Sequence, residues 1–366
     1  MTSIATDQRR IFGLKPWAVV VPLLAVAAIF VGQPASAPVA IVCAILLAGA
    51  IMAAVYNAEV LAHYLGEPFG TLTLALAVTI IEVALIVSIM LTEGSAAQTL
   101  ARDTLMAAIM ITINAIVGIC LLAGGRRHHE QTYTQTGVSA GLAMLATLSV
   151  LTLILPNFTT SVPGPFYTAQ QLVFVAVVSL VIYGTFVVAQ TIRHRDYFIH
   201  HIEDADDHAH EADVTRPTAL AAGVVLAIAL VGVVLLAKNL SPLIGVAVEA
   251  AGAPRALVGV IFASLILAPE GLAALRAAKA NRVQNSLNLA IGSALAAVGL
   301  TIPAVATVAL VLDLDLELGL EMRNVVLLAL TLLVATLTLS RGRTTMVQGV
   351  IHLVIFATWL FTTIVP

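Results

Sequence analysis

The stretch Thr71–Leu91, TLTLALAVTIIEVALIVSIML, decides the fold, because it is a run of 21 residues with a single ionisable side chain, Glu82. A second such stretch, Val258–Ala274, reads VGVIFASLILAPEGLAA and contains only Glu270. About 20 apolar residues in a helix cross the roughly 30 Å hydrocarbon layer of a membrane. A charged residue at the centre of such a helix costs about 2.5 to 3.5 kcal/mol. Two such acids indicate a functional site.

The rest of the chain shares this apolar character. Of its 366 residues, 60% are hydrophobic and 10% are charged, and apolar stretches of spanning length recur along nearly the whole sequence. This composition predicts an all-α polytopic membrane protein embedded in a lipid bilayer. The two cysteines, Cys43 and Cys120, both lie inside apolar segments. We therefore expect neither a disulfide framework nor a thiolate metal site.

Charge and Pro/Gly punctuation predict eleven transmembrane segments. These are 16–32, 38–63, 70–92, 104–124, 137–156, 166–192, 218–238, 256–276, 283–310, 322–340 and 345–364. With the N-terminus in the cytoplasm, thirteen of the 17 basic residues fall inside, and only Arg102, Lys238, Arg255 and Arg323 fall outside. This bias obeys the positive-inside rule. It predicts a multi-pass protein of the inner or plasma membrane with a cytoplasmic N-terminus and an external C-terminus.

The number of segments predicts an internal symmetry. Residues 1–37 form an N-terminal tail and an extra helix. The remaining ten helices divide into five at 38–192 and five at 218–366, separated by a cytoplasmic polar loop at 193–217. An odd number of helices per half places the two halves in opposite orientations. Inverted repeats of this kind are typical of secondary transporters.

The two glutamates occupy matching places in this scheme, each on the second helix of its half. At helical rise, both lie near the middle of the bilayer. Ser293 and Asn114 lie at a similar depth on the following helices, and Asn288 lies on the same helix as Ser293. Thr79, three residues before Glu82, either faces the same site or bonds back to its own helix. For the asparagines and Ser293, helix packing is the alternative explanation.

Pro269 directly precedes Glu270. A proline inside a helix cannot donate a hydrogen bond to the carbonyl four residues earlier, here that of Leu265. We expect a helix break at the site that frees backbone oxygens beside the glutamate. A proline kink without a ligand role is the alternative.

These groups predict a hard, all-oxygen cation site, with Glu82 and Glu270 as the metal ligands. Carboxylate, hydroxyl and carbonyl oxygens suit Ca²⁺ or an alkali cation better than zinc or copper. Burial and mutual repulsion favour protonation of the acids when the cation leaves. One site could then hold cations and protons in turn, with no cofactor, and exchange them by alternating access.

Several strings resemble the ChaA-type bacterial calcium/proton antiporters of the calcium/cation antiporter superfamily. In the first half, Arg102-Asp103-Thr104 precedes Met110-Ile111. The second half contains Leu267-Ala268-Pro269-Glu270-Gly271-Leu272, Asn281-Arg282-Val283-Gln284, Asn288-Leu289, Gly292-Ser293-Ala294-Leu295 and Leu300-Thr301-Ile302-Pro303. The resemblance covers nearly the whole chain and is most specific in the second half.

The resemblance implies that Glu82 and Glu270 are the essential acids of the ion site, and that Ser293 lines it. In the cation/proton exchanger branch, an asparagine usually lies three residues before each glutamate. Here those positions are Thr79 and Leu267. This departure leaves the choice among Ca²⁺, Na⁺ and K⁺ open.

The polar loop between the halves is rich in histidine and carboxylate. Its candidate regulatory cation ligands are Glu203, Asp204, Asp206, Asp207, His208, His210 and Glu211. Such groups could bind cytosolic cations or sense pH near neutrality. A solvated acidic linker explains the composition equally well.

Other functional classes fit the sequence less well. No His-Glu-x-x-His zinc helix or other intramembrane hydrolase arrangement is present, so we expect no enzyme. We expect inorganic cations and protons as partners and no nucleic acid. The best-fitting function is exchange of Ca²⁺ for protons, and the same site could also exchange Na⁺ or K⁺ for protons. A Na⁺(K⁺)/H⁺ antiporter is the nearest alternative, and a passive cation channel is a more distant one. The sequence does not indicate the oligomeric state.

Overall fold

The computed structural model describes residues 10–30, 32, 36–66, 69–93, 98–193, 197 and 214–365. Its helices are α1 (Pro16–Ile29), α2 (Ala37–Leu65), α3 (Phe69–Glu93), α4 (Leu100–His128), α5 (Gln135–Phe158), α6 (Ala169–Arg193), α7 (Arg216–Ala250), α8 (Ala256–Lys279), α9 (Val283–Leu312), α10 (Met322–Leu339) and α11 (Met346–Ile364). Within this part of the chain, nine helices are long and apolar enough to cross a membrane, and α1 and the segment Ala75–Leu91 of α3 are shorter apolar helices. Together they match the eleven segments predicted.

The chain forms two compact units. The first comprises Met1–Ile81 and Asp204–Leu243, and the second comprises Glu82–Glu203 and Ile244–Pro366. In the first unit, α1 packs on α2, and the side-chain amide of Asn57 donates hydrogen bonds to the carbonyls of Ala18 (3.1 Å) and Ala53 (2.7 Å). This division cuts across the predicted five-helix halves, whose boundaries stay a prediction.

In the second unit, α4 is the central helix. Nearly all of its apolar side chains are buried, from Leu105 to Leu121. By contrast, α6 presents an exposed apolar stripe of Val173, Val177, Leu180 and Val181. Apolar residues at this helical spacing, exposed on an outer helix, are what a lipid-facing surface requires.

Short loops tie the helices together at one end of the second unit. Strand β1 (Glu130–Thr132) pairs antiparallel with β2 (Arg343–Thr345), which joins the α4–α5 loop to the α10–α11 loop. Buried Gln131 donates to the carbonyl of Ala278 (3.0 Å) and to Oδ1 of Asn281 (2.9 Å), which adds the α8–α9 loop. The strands are a feature that the sequence analysis did not predict.

The opposite end of this unit collects the loops before α4, between α5 and α6, and between α9 and α10. The guanidinium of Arg102 donates to a carboxylate oxygen of Glu317 and to the carbonyl of Gly319 (2.9 Å). The amide of Leu320 donates to the carbonyl of Leu153 (2.8 Å). The loops therefore gather at alternate ends, as successive membrane crossings require. Which end is cytoplasmic stays a prediction from charge.

Most predicted segments agree with the observed helices within four residues, and 218–238 is the exception. Helix α7 continues through Pro242 to Ala250 and ends before Gly252, whose φ of 73° suits a residue without a side chain. The predicted end of this segment at residue 238 was therefore wrong. In lipid a helix tolerates an internal proline when the freed backbone group is satisfied nearby.

The predicted helix break at Pro269 is also wrong. Helix α8 runs without interruption from Ala256 to Lys279 with Pro269 buried inside it. Irregular backbone occurs elsewhere, in π-helical segments at Met110–Ile116, Val150–Ile154 and Ala189–Arg193. The first of these lies at the middle of α4. Such π segments are common at functional sites, and no proline marks this one in the sequence.

Candidate cation site within the membrane

Four side chains form the candidate site in the second unit. Glu82 lies on α3, Glu270 on α8, and Ser293 and Thr301 on α9. Glu82 is buried, with 6% of its surface exposed, and Glu270 is partly exposed. The two carboxyl groups are close enough to interact electrostatically. Two acids in one largely apolar site form a centre of negative charge able to attract a cation.

A hydroxyl group holds the Glu270 carboxylate. Ser293 Oγ donates a hydrogen bond to Glu270 Oε2. A hydrogen bond to an ionised group is stronger than one between neutral groups, so it fixes the position of the carboxylate. Tyr183 on α6 also lies close enough to Glu270 to interact with its charge.

The Glu82 carboxyl lies close to the side chain of Thr301. Thr301 interacts with the Glu82 side chain, yet among the described residues neither Glu82 Oε1 nor Thr301 Oγ1 has a hydrogen-bond partner. Both atoms are buried, and Thr301 is completely inaccessible. A buried polar atom without a partner costs about 1 to 3 kcal/mol. The Glu82 side of the site therefore offers two free oxygen atoms to a ligand.

Small residues let the helices of the site approach one another closely. At Gly299 on α9, an added Cβ would lie 2.7 Å from Cβ of Tyr183. At Gly271 on α8, next to Glu270, it would lie 3.2 Å from the side chain of Ile116 on α4. Glycine removes the side chain that would hold the helix backbones apart. These contacts fix α8 and α9, and with them the polar groups they carry.

Asn114 takes part in a different network. Its Nδ2 donates to Thr331 Oγ1 on α10 (2.9 Å), and its Oδ1 lies 3.0 Å from Nδ1 of His352 on α11. His352 Nε2 lies 2.9 Å from Thr338 Oγ1. The network joins the π-helical segment of α4 to two neighbouring helices. The role of Asn114 as a cation ligand stays a prediction, and these bonds weigh against it.

Two other predicted ligands have partners of their own. Thr79 Oγ1 donates to the carbonyl of Ala75 (2.8 Å), which is the bond back to its own helix named as an alternative. Asn288 Oδ1 accepts a hydrogen bond from Gln284 Nε2 (2.9 Å). Their roles at the site stay predictions. The structure thus brings Glu270 and Ser293 into contact and places Thr301, which the sequence analysis did not select, against Glu82.

One sequence signal could have identified Thr301. It is the only polar side chain between Ser293 and Thr307 on α9. The candidate regulatory ligands Glu203, Asp204, Asp206, Asp207, His208, His210 and Glu211 all lie outside the described residues. Over the part of the chain that is described, no group of three or more histidine, cysteine and acidic side chains could hold a metal ion. A cation bound here would need hydroxyl or backbone oxygens besides the two acids.

Comparison with known proteins identifies the class. The family model described as sodium/calcium exchanger protein matches residues 35–192 and 221–365. The protein y4hA of Sinorhizobium fredii is 47% identical over 321 residues, which cover 88% of this chain and 87% of that protein. The sodium-potassium/proton antiporter ChaA of Escherichia coli is 35% identical over 355 residues, covering 95% and 96% respectively.

Solved structures show the same fold. Native YfkE superimposes with a TM-score of 0.72 at 17% identity, covering 97% of this chain and all of that one. The H⁺/Ca²⁺ exchanger CAX superimposes with a TM-score of 0.71 at 17% identity, covering 94% and 86%. The fold is therefore that of the cation exchangers, an all-α membrane protein.

These findings define a multi-pass membrane antiporter of cations. The chain belongs to the sodium/calcium exchanger protein family. The predicted fold class and the resemblance to ChaA-type antiporters are confirmed. The family is one of transporters and not of catalytic enzymes, and it implies cations and protons as the transported species.

Proposed function

We propose that this protein exchanges Ca²⁺ for H⁺ across the cell membrane at a site formed by Glu82 and Glu270. The observation that carries the proposal is that Glu82 and Glu270, each the only ionisable side chain of its apolar stretch, lie in the same compact unit, where the charge of Glu270 acts on Glu82. Two carboxylates balance the charge of one divalent ion, and oxygen ligands suit calcium. The calcium exchangers among the structures of the same fold support this cargo.

The exchange follows from competition for the same oxygens. A carboxylate binds the cation only when it is ionised, and a buried pair of like charges is unstable without a counter-ion. Protons therefore replace the cation when it leaves. With either Ca²⁺ or two protons bound, the pair of acids is neutral while the site changes the side to which it opens. In this proposal the N-terminus is cytoplasmic and the C-terminus is external, as the distribution of basic residues predicts.

Exchange of Na⁺ or K⁺ for H⁺ is the second candidate. It is favoured by Thr79 and Leu267, which stand three residues before the two glutamates. Thr79 donates its hydroxyl hydrogen to its own helix, and Leu267 is apolar and buried. Fewer amide oxygens are then available than in a calcium site with asparagine at these positions. The relative ChaA, described as a sodium-potassium/proton antiporter, supports this candidate.

Transport by the purified protein in liposomes tests the proposal. With the lumen more acidic than the medium, we expect Ca²⁺ to enter while the lumen becomes alkaline, and no accumulation without the pH gradient. Glu82→Gln and Glu270→Gln should each abolish exchange, because an amide cannot alternate between cation and proton. Glu249→Gln is the matched control, since Glu249 is an exposed acid paired with Arg255.

The result has clear alternatives. Normal exchange by either site variant contradicts the site. Accumulation of Na⁺ or K⁺ but not of Ca²⁺ selects the second candidate. Uptake that follows only the cation's own gradient, with no proton movement, indicates a channel and refutes exchange.

A further inference from the structure

A single helix, α9, faces both acids with hydroxyl side chains. Ser293 donates to Glu270, and Thr301 faces Glu82. The two hydroxyl residues are eight positions apart, which is about 12 Å along the helix axis. The Ser293 hydroxyl is hydrogen-bonded to its acid, whereas the Thr301 hydroxyl has no hydrogen-bond partner among the described residues.

Thr301 differs from other threonines in the transmembrane helices. A threonine inside a helix commonly donates to the carbonyl four residues earlier, because that bond satisfies its hydroxyl within the helix. Thr307 on the same helix does so with Pro303 (2.7 Å), as do Thr112 with Ala108 (2.7 Å) and Thr152 with Leu148 (2.8 Å). Thr301 Oγ1 makes no hydrogen bond within the part of the chain that the structure describes. Its hydroxyl is free for a ligand.

The surrounding packing keeps Thr301 where it is. Gly299, two residues earlier, lies against Tyr183 of α6, and both Ile302 and Pro303 are buried. Helix α9 therefore has little room to rotate about its axis. Burial of Thr301 Oγ1 and Glu82 Oε1 costs free energy unless another group forms a hydrogen bond or a coordination bond with them.

We propose that Thr301 Oγ1 is a ligand of the transported cation and, with Glu82, forms one side of the binding site. The ligand is a hard cation, Ca²⁺ or an alkali ion, because a carboxylate and a neutral hydroxyl are both oxygen donors and can replace the water around it. This inference rests on the proposed function. It adds to the site a residue other than Thr79 and Leu267, which stand where the resemblance would place asparagine ligands.

Substitution of Thr301 by valine tests the proposal, because valine keeps the shape and removes only the oxygen. In the liposome assay, we expect Thr301→Val to raise the half-saturating cation concentration about tenfold or more, as the loss of a contact to a charged group implies. The maximal rate at saturating cation should change much less. Thr301→Ser should restore the wild-type value. A purely structural role would not give this separation or this rescue.

Thr307→Val is the matched control, since it removes a hydroxyl from the same helix that is already bonded to Pro303. Equal half-saturating concentrations for Thr301→Val and Thr307→Val overturn the inference. If Glu82→Gln is inactive in the same experiment, the proposed function stands even though the inference about Thr301 fails. If Glu82→Gln exchanges normally, the proposed function itself fails.

A chemical test covers the case in which Thr301→Val does not reach the membrane. Thr301→Cys is made in a Cys43→Ala, Cys120→Ala background, and its reaction with a small methanethiosulfonate is followed. Saturating Ca²⁺, Na⁺ or K⁺ should protect a cysteine at 301 and leave one introduced by Thr307→Cys unaffected. Equal reaction with and without every cation overturns the inference. So does the absence of any reaction, because alternating access must open a ligand of the transported cation to water in one of its states.

Discussion

The ion pairs of Arg102 predict a large effect on stability outside the candidate site. Its Nε lies 3.1 Å from Oδ1 of Asp103, and its Nη1 contacts Glu317 and donates to the carbonyl of Gly319 (2.9 Å). The side chains of Arg102, Asp103 and Glu317 are 7%, 13% and 22% exposed. The group therefore joins the start of α4 to the α9–α10 loop, and its side chains are largely buried.

Arg102→Met keeps most of the side-chain volume and removes the positive charge. It leaves two carboxylates and a carbonyl without their partner. Removal of one member of a buried ion pair costs about 3 to 5 kcal/mol, and the partial exposure of Glu317 places the expected loss near the lower end, about 3 kcal/mol. Arg255→Met is the matched control. Its pair with Glu249 is 61% and 49% exposed, so we expect a loss of at most about 1 kcal/mol.

The measurement is the free energy of unfolding in mixed micelles, from SDS titration followed by circular dichroism. We expect a clear separation of Arg102→Met from Arg255→Met, and partial recovery in the double variant Arg102→Met, Glu317→Gln, which carries one unpaired charge fewer. Equal stability of the two single variants would refute the reasoning. So would a double variant less stable than Arg102→Met.

Two further predictions concern packing and the buried histidine. Gly349→Ala on α11 should destabilise the fold by about 1 to 3 kcal/mol, because its Cβ would lie 2.5 Å from the amide nitrogen of Leu122 on α4. Gly184→Ala, with no atom within 4 Å of the added carbon, should be neutral or stabilising in the same SDS titration. His352→Leu should cost about 1 to 3 kcal/mol, since it removes the hydrogen-bond partner of buried Asn114. Thr358→Val, which alters an exposed hydroxyl bonded to its own helix, should cost much less; equal losses for this pair of variants would contradict the network.

Much of the fold followed from the sequence. The eleven apolar segments, their lengths and their alternating direction could be predicted because a spanning helix needs about 20 apolar residues and because basic residues favour the cytoplasmic side. The two acids could be singled out for the same reason. An ionisable side chain in the middle of an apolar stretch is costly, so Glu82 and Glu270 stood out against their surroundings.

Local features of the helices were less predictable. Pro269 suggested a helix break, and residue 238 was predicted to end a segment, yet both lie inside continuous helices. The π-helical segment at Met110–Ile116 has no marker in the sequence. Whether a helix continues through a proline depends on whether another group satisfies the freed carbonyl, and the sequence of the helix alone does not identify that group.

The sequence by itself determined that this chain spans a membrane many times, and it predicted that two acids lie at the midplane. Only the tertiary structure decided which hydroxyl meets which acid: Ser293 meets Glu270, Thr301 faces Glu82, and Asn114 turns to His352. The physical reason is the solvent. Lipid and protein interior are both apolar, so the apolar pattern of a helix does not reveal which side faces its neighbours. The rotation of each helix about its axis is set by packing contacts such as Gly299 against Tyr183.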